Sequence, residues 1–211
     1  MKIIPAINCK DFKCVKAQIE KVAEFLPKNG WIQIDVSDGK FTKAKTYNNA
    51  KRVMQIAKRS SLKLEVHLMV NNPKAYADKW LKAGADRVIV HIESILTRPG
   101  LVSKFGFRKE IGLAIKPETE IKKLFPYLDK IKFIQLLAVK PGYSGQRFNK
   151  HTVNKIKFLK KNYPKAVVEI DGGINPKTVQ IIKKAGADIA ASASYIFDSQ
   201  NSKEAYKKLL N

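Results

Sequence analysis

The 211-residue chain sets 41 Lys and Arg against 18 Asp and Glu, a formal charge of +23, and 45% of its residues are hydrophobic. This balance excludes disordered and coiled-coil classes, and no apolar run nears the ~18 residues that a membrane-spanning helix needs. The first 13 residues carry no sustained apolar stretch, so no secretory leader is expected, and two cysteines, Cys9 and Cys14, are too few for a disulfide framework and fit a reducing cytoplasm.

Short β-branched runs alternate with longer amphipathic ones along the whole chain. A strand is predicted over residues 3–7, then a helix over 15–26, where Val15, Ile19, Val22, Ala23 and Leu26 share one stripe. Strands follow at 31–36 and 62–69, then a helix at 73–83 and strands at 87–92 and 112–115. A helix at 120–128 leads to a strand at 133–139, a helix at 153–159 to a strand at 166–171, and a helix at 176–185 to a last strand at 187–191. The helices at 73 and 176 open on Asn-Pro, a cap residue and a first-turn proline, and close on Gly84 and Gly186. Strict alternation of strand and helix implies parallel strands joined by crossover helices.

An internal repeat sharpens this pattern. Glu65-Val66-His67 leads through Asn72-Pro73-Lys74 to Lys82-Ala83-Gly84-Ala85-Asp86, and Glu169-Ile170-Asp171 leads through Asn175-Pro176-Lys177 to Lys184-Ala185-Gly186-Ala187-Asp188. The matched units are the third and the seventh, as expected if two half-barrels close into one ring. The fold expected is therefore a (β/α)8 TIM barrel forming a single domain over residues 1–211, with an open doubly wound sheet as the structural alternative.

In such a barrel, function gathers at the C-terminal ends of the strands, and alternate residues point inward. Strand two ends with Gln33 and Asp35 on one face, strand three with Glu65 and His67, strand four with His91 followed by Glu93, and strand seven with Glu169 and Asp171. Charged groups inside apolar strands are costly unless paired or bound to a cation. A lone strand-end Asp usually caps a turn, and a lone His is usually a hydrogen-bonded core residue. Asp35, His67 and Asp171 converging from three strands instead form a set suited to divalent zinc, manganese or iron. His151 is expected on the surface, and Cys9 and Cys14, spaced C-x4-C, as semi-buried packing residues.

Glycines gather after the last three strands: Pro141-Gly142-Tyr143-Ser144-Gly145-Gln146, Asp171-Gly172-Gly173, and, in the corresponding place after strand eight, Ala193-Ser194. Glycine lets backbone N–H groups approach an anion closely, and the last units of a barrel commonly build a phosphate site. A phosphorylated ligand is expected there.

These residues occur in stretches that resemble the ribulose-phosphate 3-epimerase family along nearly the whole chain: PAINCKDF (5–12), WIQIDVSDGKF (31–41), LEVHLMVNNP (64–73), GADRVIVHIE (84–93), GLAIKPET (112–119), VKPGYSGQRF (139–148), VEIDGGINPKT (168–178) and AGADIAASASYIF (185–197). The resemblance implies interconversion of D-ribulose 5-phosphate and D-xylulose 5-phosphate. Asp35 and Asp171 would be the paired acid and base, and Asp35, His67, Asp171 and Gln33 would stand at the metal-ligand positions. Gly142, Ser144, Gly145, Gly172, Gly173, Ala193 and Ser194 map onto the loops that hold phosphate, while Glu65 and Glu169 sit where they could orient the ligands. The chain departs from the family's pattern at Gln33, where a second metal-binding His is usual, at Ala6 for Ser, at Ser37 and Leu137 for Met, and at Ser144 and Ala193 for Gly. Family analogy also implies a homo-oligomer.

The charge invites a nucleic-acid reading. It is made of 35 Lys and only 6 Arg, however, and Arg is the side chain favoured for bidentate phosphate and base contacts. The pairs Lys122-Lys123, Lys160-Lys161, Lys183-Lys184 and Lys207-Lys208 fall in four separate predicted helices, so a lysine-biased composition accounts for the charge more simply. Two alternatives to the pentulose-phosphate epimerase stay open: a related ketose-phosphate epimerase or lyase with a different sugar, and a non-catalytic barrel that binds RNA or a protein through its basic surface.

Overall fold

A computed structural model of the chain describes residues 1–96 and 108–211. Eight parallel strands close into a ring in sequence order, with β8 returning to pair with β1. They are β1 (Lys2–Ile7), β2 (Trp31–Ser37), β3 (Lys63–Met69), β4 (Arg87–His91), β5 (Ile111–Ile115), β6 (Phe133–Leu137), β7 (Val167–Asp171) and β8 (Ile189–Ser192). The helices are α1 (Phe12–Ala23), α2 (Ala50–Arg59), α3 (Pro73–Ala83), α4 (Ile92–Leu96), α5 (Thr152–Asn162), α6 (Pro176–Lys184), α7 (Ser194–Phe197) and α8 (Ser202–Leu210). Among the described residues, no helix is long and apolar enough to cross a membrane.

Local chemistry explains where these elements differ from the periodicity. Helix α1 starts at Phe12 because the Asp11 carboxylate accepts the Cys14 N–H at 2.9 Å, and its last turn closes at Ala23 as Phe25 and Leu26 both donate to the Val22 carbonyl. Residues Ile121–Tyr127 form a 3-10 helix instead of the α-helix predicted over 120–128, since Pro126 inside the segment has no N–H to donate. The cysteines also differ from expectation: Cys9 and Cys14 are joined in a disulfide. Proximity decides this, because the turn into α1 brings their Cα atoms to 5.8 Å, a span that the bond can bridge. Cysteine usage therefore supplies no argument for a reducing compartment.

The repeat has a structural counterpart. In unit three, the Asp86 carboxylate accepts the Leu64 N–H at 2.9 Å while the Asp86 N–H donates to the Leu64 carbonyl; in unit seven, Asp188 does the same with Val168, at 2.7 Å and 2.9 Å. Each aspartate thus fastens the start of one strand to the next. Gly84 and Gly186, two residues before, take φ of +103° and +98°, which a side chain would resist.

Two cores enclose the strands. The outer one lies between strands and helices, with Val15, Ile19 and Val22 of α1 and Trp80 of α3 packed on the outward strand residues. The inner one is divided, with an apolar part containing Ile4, Ile89, Ala114, Phe133, Leu137 and Ile189. Beside it stands a polar layer that a barrel interior seldom carries: Gln33, Glu65, Gln135 and Glu169, all fully buried. Below this layer, Arg87 pairs with Glu65 at 2.6 Å and lies over the rings of Phe133 and Trp31, closing the floor.

Candidate active site

Parallel pairing sets the site. The register places Asp35 beside His67 and Leu137 beside Asp171, so the strand ends of β2, β3 and β7 deliver their polar side chains to one level of the barrel mouth. Asp35, His67 and Asp171 offer ligand atoms that all lie within 4.8 Å of one another. One cavity is lined by these three and by Gly142, Ser144, Gly145, Gly172, Gly173, Ala193 and Ser194. The loops curve around it with Gly142, Gly145, Gly172 and Gly173 all at positive φ. At Gly173 a Cβ would stand 2.7 Å from the Phe148 backbone, so glycine is the residue that lets these two loops close on each other.

His67 is held by a buried chain of side chains. Its Nε2 lies 2.9 Å from His91 Nε2, and His91 Nδ1 lies 3.0 Å from Glu93 Oε2. Glu93 also accepts the Lys116 N–H at 2.8 Å. Burial opposes ionisation of Glu93, but the His91 hydrogen bond, the Thr119 hydroxyl and the Lys116 N–H outweigh burial and bring its pKa down to about 2. Burial holds His91 neutral, with a pKa lowered to about 4. An ionised Glu93 therefore takes the His91 Nδ1–H, which leaves His91 Nε2 as acceptor for the His67 Nε2–H. That bond leaves His67 Nδ1 turned toward the cavity.

There Nδ1 faces Asp35 Oδ1 at 3.3 Å and Asp171 Oδ2 at 3.2 Å, yet it is aligned for a hydrogen bond with neither. Burial would lower the His67 pKa, but the Asp171 and Asp35 carboxylates outweigh burial and raise it to about 9. Asp171 is pushed up from its ordinary value by burial and by the charge of Asp35, against the pull of His67 and Gln33. A buried ring nitrogen between two carboxylates that favour positive charge fits a divalent cation bound by nitrogen and oxygen donors, the cation taking the place of the Nδ1 proton.

Gln33 plays a different part from the ligand position it was expected to fill. It lies under the cavity, not in its lining, and its amide nitrogen donates to Asp35 Oδ1 at 2.8 Å and to Asp171 Oδ2 at 2.9 Å. Its carbonyl accepts from Gln135 Nε2 at 2.8 Å, so the oxygen that would have served as a ligand is engaged below. The opposite orientation would set the carbonyl against two carboxylates. His151 is exposed at the start of α5, as expected.

Sequence reading missed three residues around the site. Asn8 donates to Asp35 Oδ2 at 3.1 Å, and its place just past β1 is the same strand-end signal that marked the others. Gln135 was visible as a polar residue inside the apolar run of β6. Lys155 of α5, whose Nζ bonds the carbonyls of Lys116, Pro117 and Thr119 at 3.0, 2.7 and 2.6 Å, fixes the loop whose N–H binds Glu93; no local pattern marks it.

A model of the ribulose-phosphate 3 epimerase family matches residues 2–197. A protein of Chlamydia trachomatis serovar D named ribulose-phosphate 3-epimerase is 34% identical over 96% of this chain and 89% of its own length. The chain belongs to the ribulose-phosphate 3-epimerase family. A further family relative, from Schizosaccharomyces pombe, is 28% identical over 100% of this chain and 92% of its own. The 3-hexulose-6-phosphate synthase of Salmonella typhimurium shares the fold, with a TM-score of 0.70 over 99% of this chain and 96% of that one, at 14% identity.

Family membership makes this an isomerase-class enzyme. The structure also locates the positions at which the sequence resemblance implies a departure. Ala6 is buried beside Gln33 in the β1–β2 pairing. Ser37 points its hydroxyl at Met69 Sδ, 3.7 Å away, and Met69 lines the cavity. Leu137, Ser144 and Ala193 line the cavity itself.

Proposed function

We propose that the protein interconverts D-ribulose 5-phosphate and D-xylulose 5-phosphate by removing and returning the proton on carbon 3. The observation that carries this reading is the pair Asp35 and Asp171, from β2 and β7, opening into the cavity that the glycine-rich loops rim. Inversion beside a ketone requires a base on one face of the carbon and an acid on the other. One aspartate takes the carbon-3 proton as the substrate carbonyl becomes an enediolate, and the other delivers a proton to the opposite face. The two exchange roles with reaction direction. The raised affinity of Asp171 for a proton suits it to the donor's part when the reaction starts from the isomer whose proton faces Asp35.

Asp35, His67 and Asp171 would hold the divalent metal, zinc, manganese or iron by the character of the donors. When bound, such an ion polarises the substrate carbonyl and offsets the negative charge that develops on its oxygen. Asn8 and Gln33 hold the carboxylates in place through the deprotonation. Backbone groups of Gly142, Ser144, Gly145, Gly172, Gly173, Ala193 and Ser194 would receive the phosphate, with Lys140 of the same cavity adding positive charge. The test is conversion of D-ribulose 5-phosphate to xylulose 5-phosphate with Mn²⁺, Zn²⁺ or Fe²⁺ added in turn. Turnover with at least one ion supports the reading, and no product with any of them overturns it.

A further inference from the structure

The polar layer beneath the cavity contains a residue that the reaction chemistry above does not use. Gln135 projects from β6 into the barrel, fully buried, and its Nε2 donates both to Gln33 Oε1 at 2.8 Å and to Glu169 Oε1 at 2.7 Å. Gln33 Nε2, on the other end of the same amide, donates to Asp35 Oδ1 and Asp171 Oδ2. These two oxygens are also the ones that face His67 Nδ1. An amide rotates about one bond, so whichever partner fixes its carbonyl fixes where its N–H groups point. Gln135 supplies the donor that the Gln33 carbonyl receives.

Two buried carboxylates converging on one point repel each other, and a neutral bridging donor holds them together without adding a competing charge. Gln33 is that bridge: the two carboxylates favour its donor end, and Gln135 holds the carbonyl end turned away from them. Gln135 does not touch the cavity and is no catalytic residue. We propose that Gln135 is a positioning residue that acts through Gln33: it keeps the Gln33 amide turned to Asp35 and Asp171 and so sets the spacing of the two carboxylates. The proposal rests on the reading of that trio as a divalent-metal centre in an epimerase.

A double-mutant cycle tests it, using Gln135→Met, Gln33→Met and the double variant, each full length and verified as folded by circular dichroism. Metal-free protein is titrated with Mn²⁺, free ion being followed by electron paramagnetic resonance, and kcat and KM are measured with D-ribulose 5-phosphate. Each single variant is expected to weaken Mn²⁺ binding and to lower kcat by about tenfold, with KM little changed, as loss of a partner that orients metal ligands does. In the double variant the loss is expected to equal that of Gln33→Met alone. Wild-type Mn²⁺ affinity and kcat in folded Gln135→Met would overturn the proposal. So would losses that multiply in the double variant, because Gln135 would then act other than through Gln33. If Gln135→Met does not fold, Gln135→Leu, the residue type of Leu136 and Leu137 after it on β6, takes its place in the cycle. A wild type that takes up no Mn²⁺ removes the metal reading and leaves the kcat cycle to decide; one without turnover removes the epimerase reading and leaves the Mn²⁺ cycle to decide. Failure of both overturns the proposal.

Discussion

Replacing Asp35 or Asp171 by Asn keeps the side chain's size and an oxygen for Gln33 to bond, but removes the group that accepts and returns a proton. Each substitution is expected to abolish turnover while circular dichroism and the unfolding midpoint change little; substantial residual activity in either variant would refute the two-carboxylate mechanism. The chain from Glu93 through His91 to His67 makes a separate forecast. His91→Phe removes the acceptor that fixes the His67 tautomer, and the Mn²⁺ affinity of the protein should fall by about 10–100-fold. Titration of metal-free variant and wild type side by side checks this. Equal affinities would show that packing alone orients His67.

At the scale of elements, the two fasteners at Asp86 and Asp188 and the glycines before them make stability predictions. Gly84→Ala forces an L residue to φ of +103° and sets its Cβ 3.1 Å from Lys58 Nζ, at an expected cost of about 1–2 kcal/mol. Urea denaturation reads this as a lower midpoint with an unchanged slope. The Cys9–Cys14 bond joins residues only five apart in sequence, so Cys14→Ser is expected to cost about 2 kcal/mol under oxidising conditions and close to nothing in excess thiol. Much at this scale was legible beforehand, and for a definite reason. Strand ends and glycine caps depend on side chains close in sequence, so Asn72-Pro73 and Gly84 marked the bounds of α3 directly. The convergence of Asp35, His67 and Asp171 was legible because parallel strands with period-two alternation leave few places for a strand-end side chain to go. Gln33 was not legible as a donor, since its orientation depends on Gln135, 102 residues away. Nor was the disulfide, which depends on a turn that Asp11 makes by capping α1.

For the whole molecule, the question is what a charge of +23 does. Part of it surrounds the mouth. Lys10, Lys43 and Lys45 line a shallow surface hollow that shares Tyr143 with the cavity, and Lys140 lies in the cavity wall. A positive rim around a low-dielectric well concentrates an anionic sugar phosphate at the opening. Its signature is kinetic: kcat/KM should fall by about tenfold from low to high salt while kcat stays nearly constant, because screening slows encounter and not chemistry. Steady-state rates across a salt series decide it. Replacing Lys10, Lys43 and Lys45 together by Gln should flatten the dependence.

The closed floor carries a consequence for traffic. With Arg87 stacked over Trp31 and Phe133 at the lower end and Gln33, Glu65, Gln135 and Glu169 fully buried above it, the barrel is a blind well and not a conduit. Whatever binds must leave through the opening by which it came. Departure of one isomer and arrival of the next molecule are then strictly consecutive.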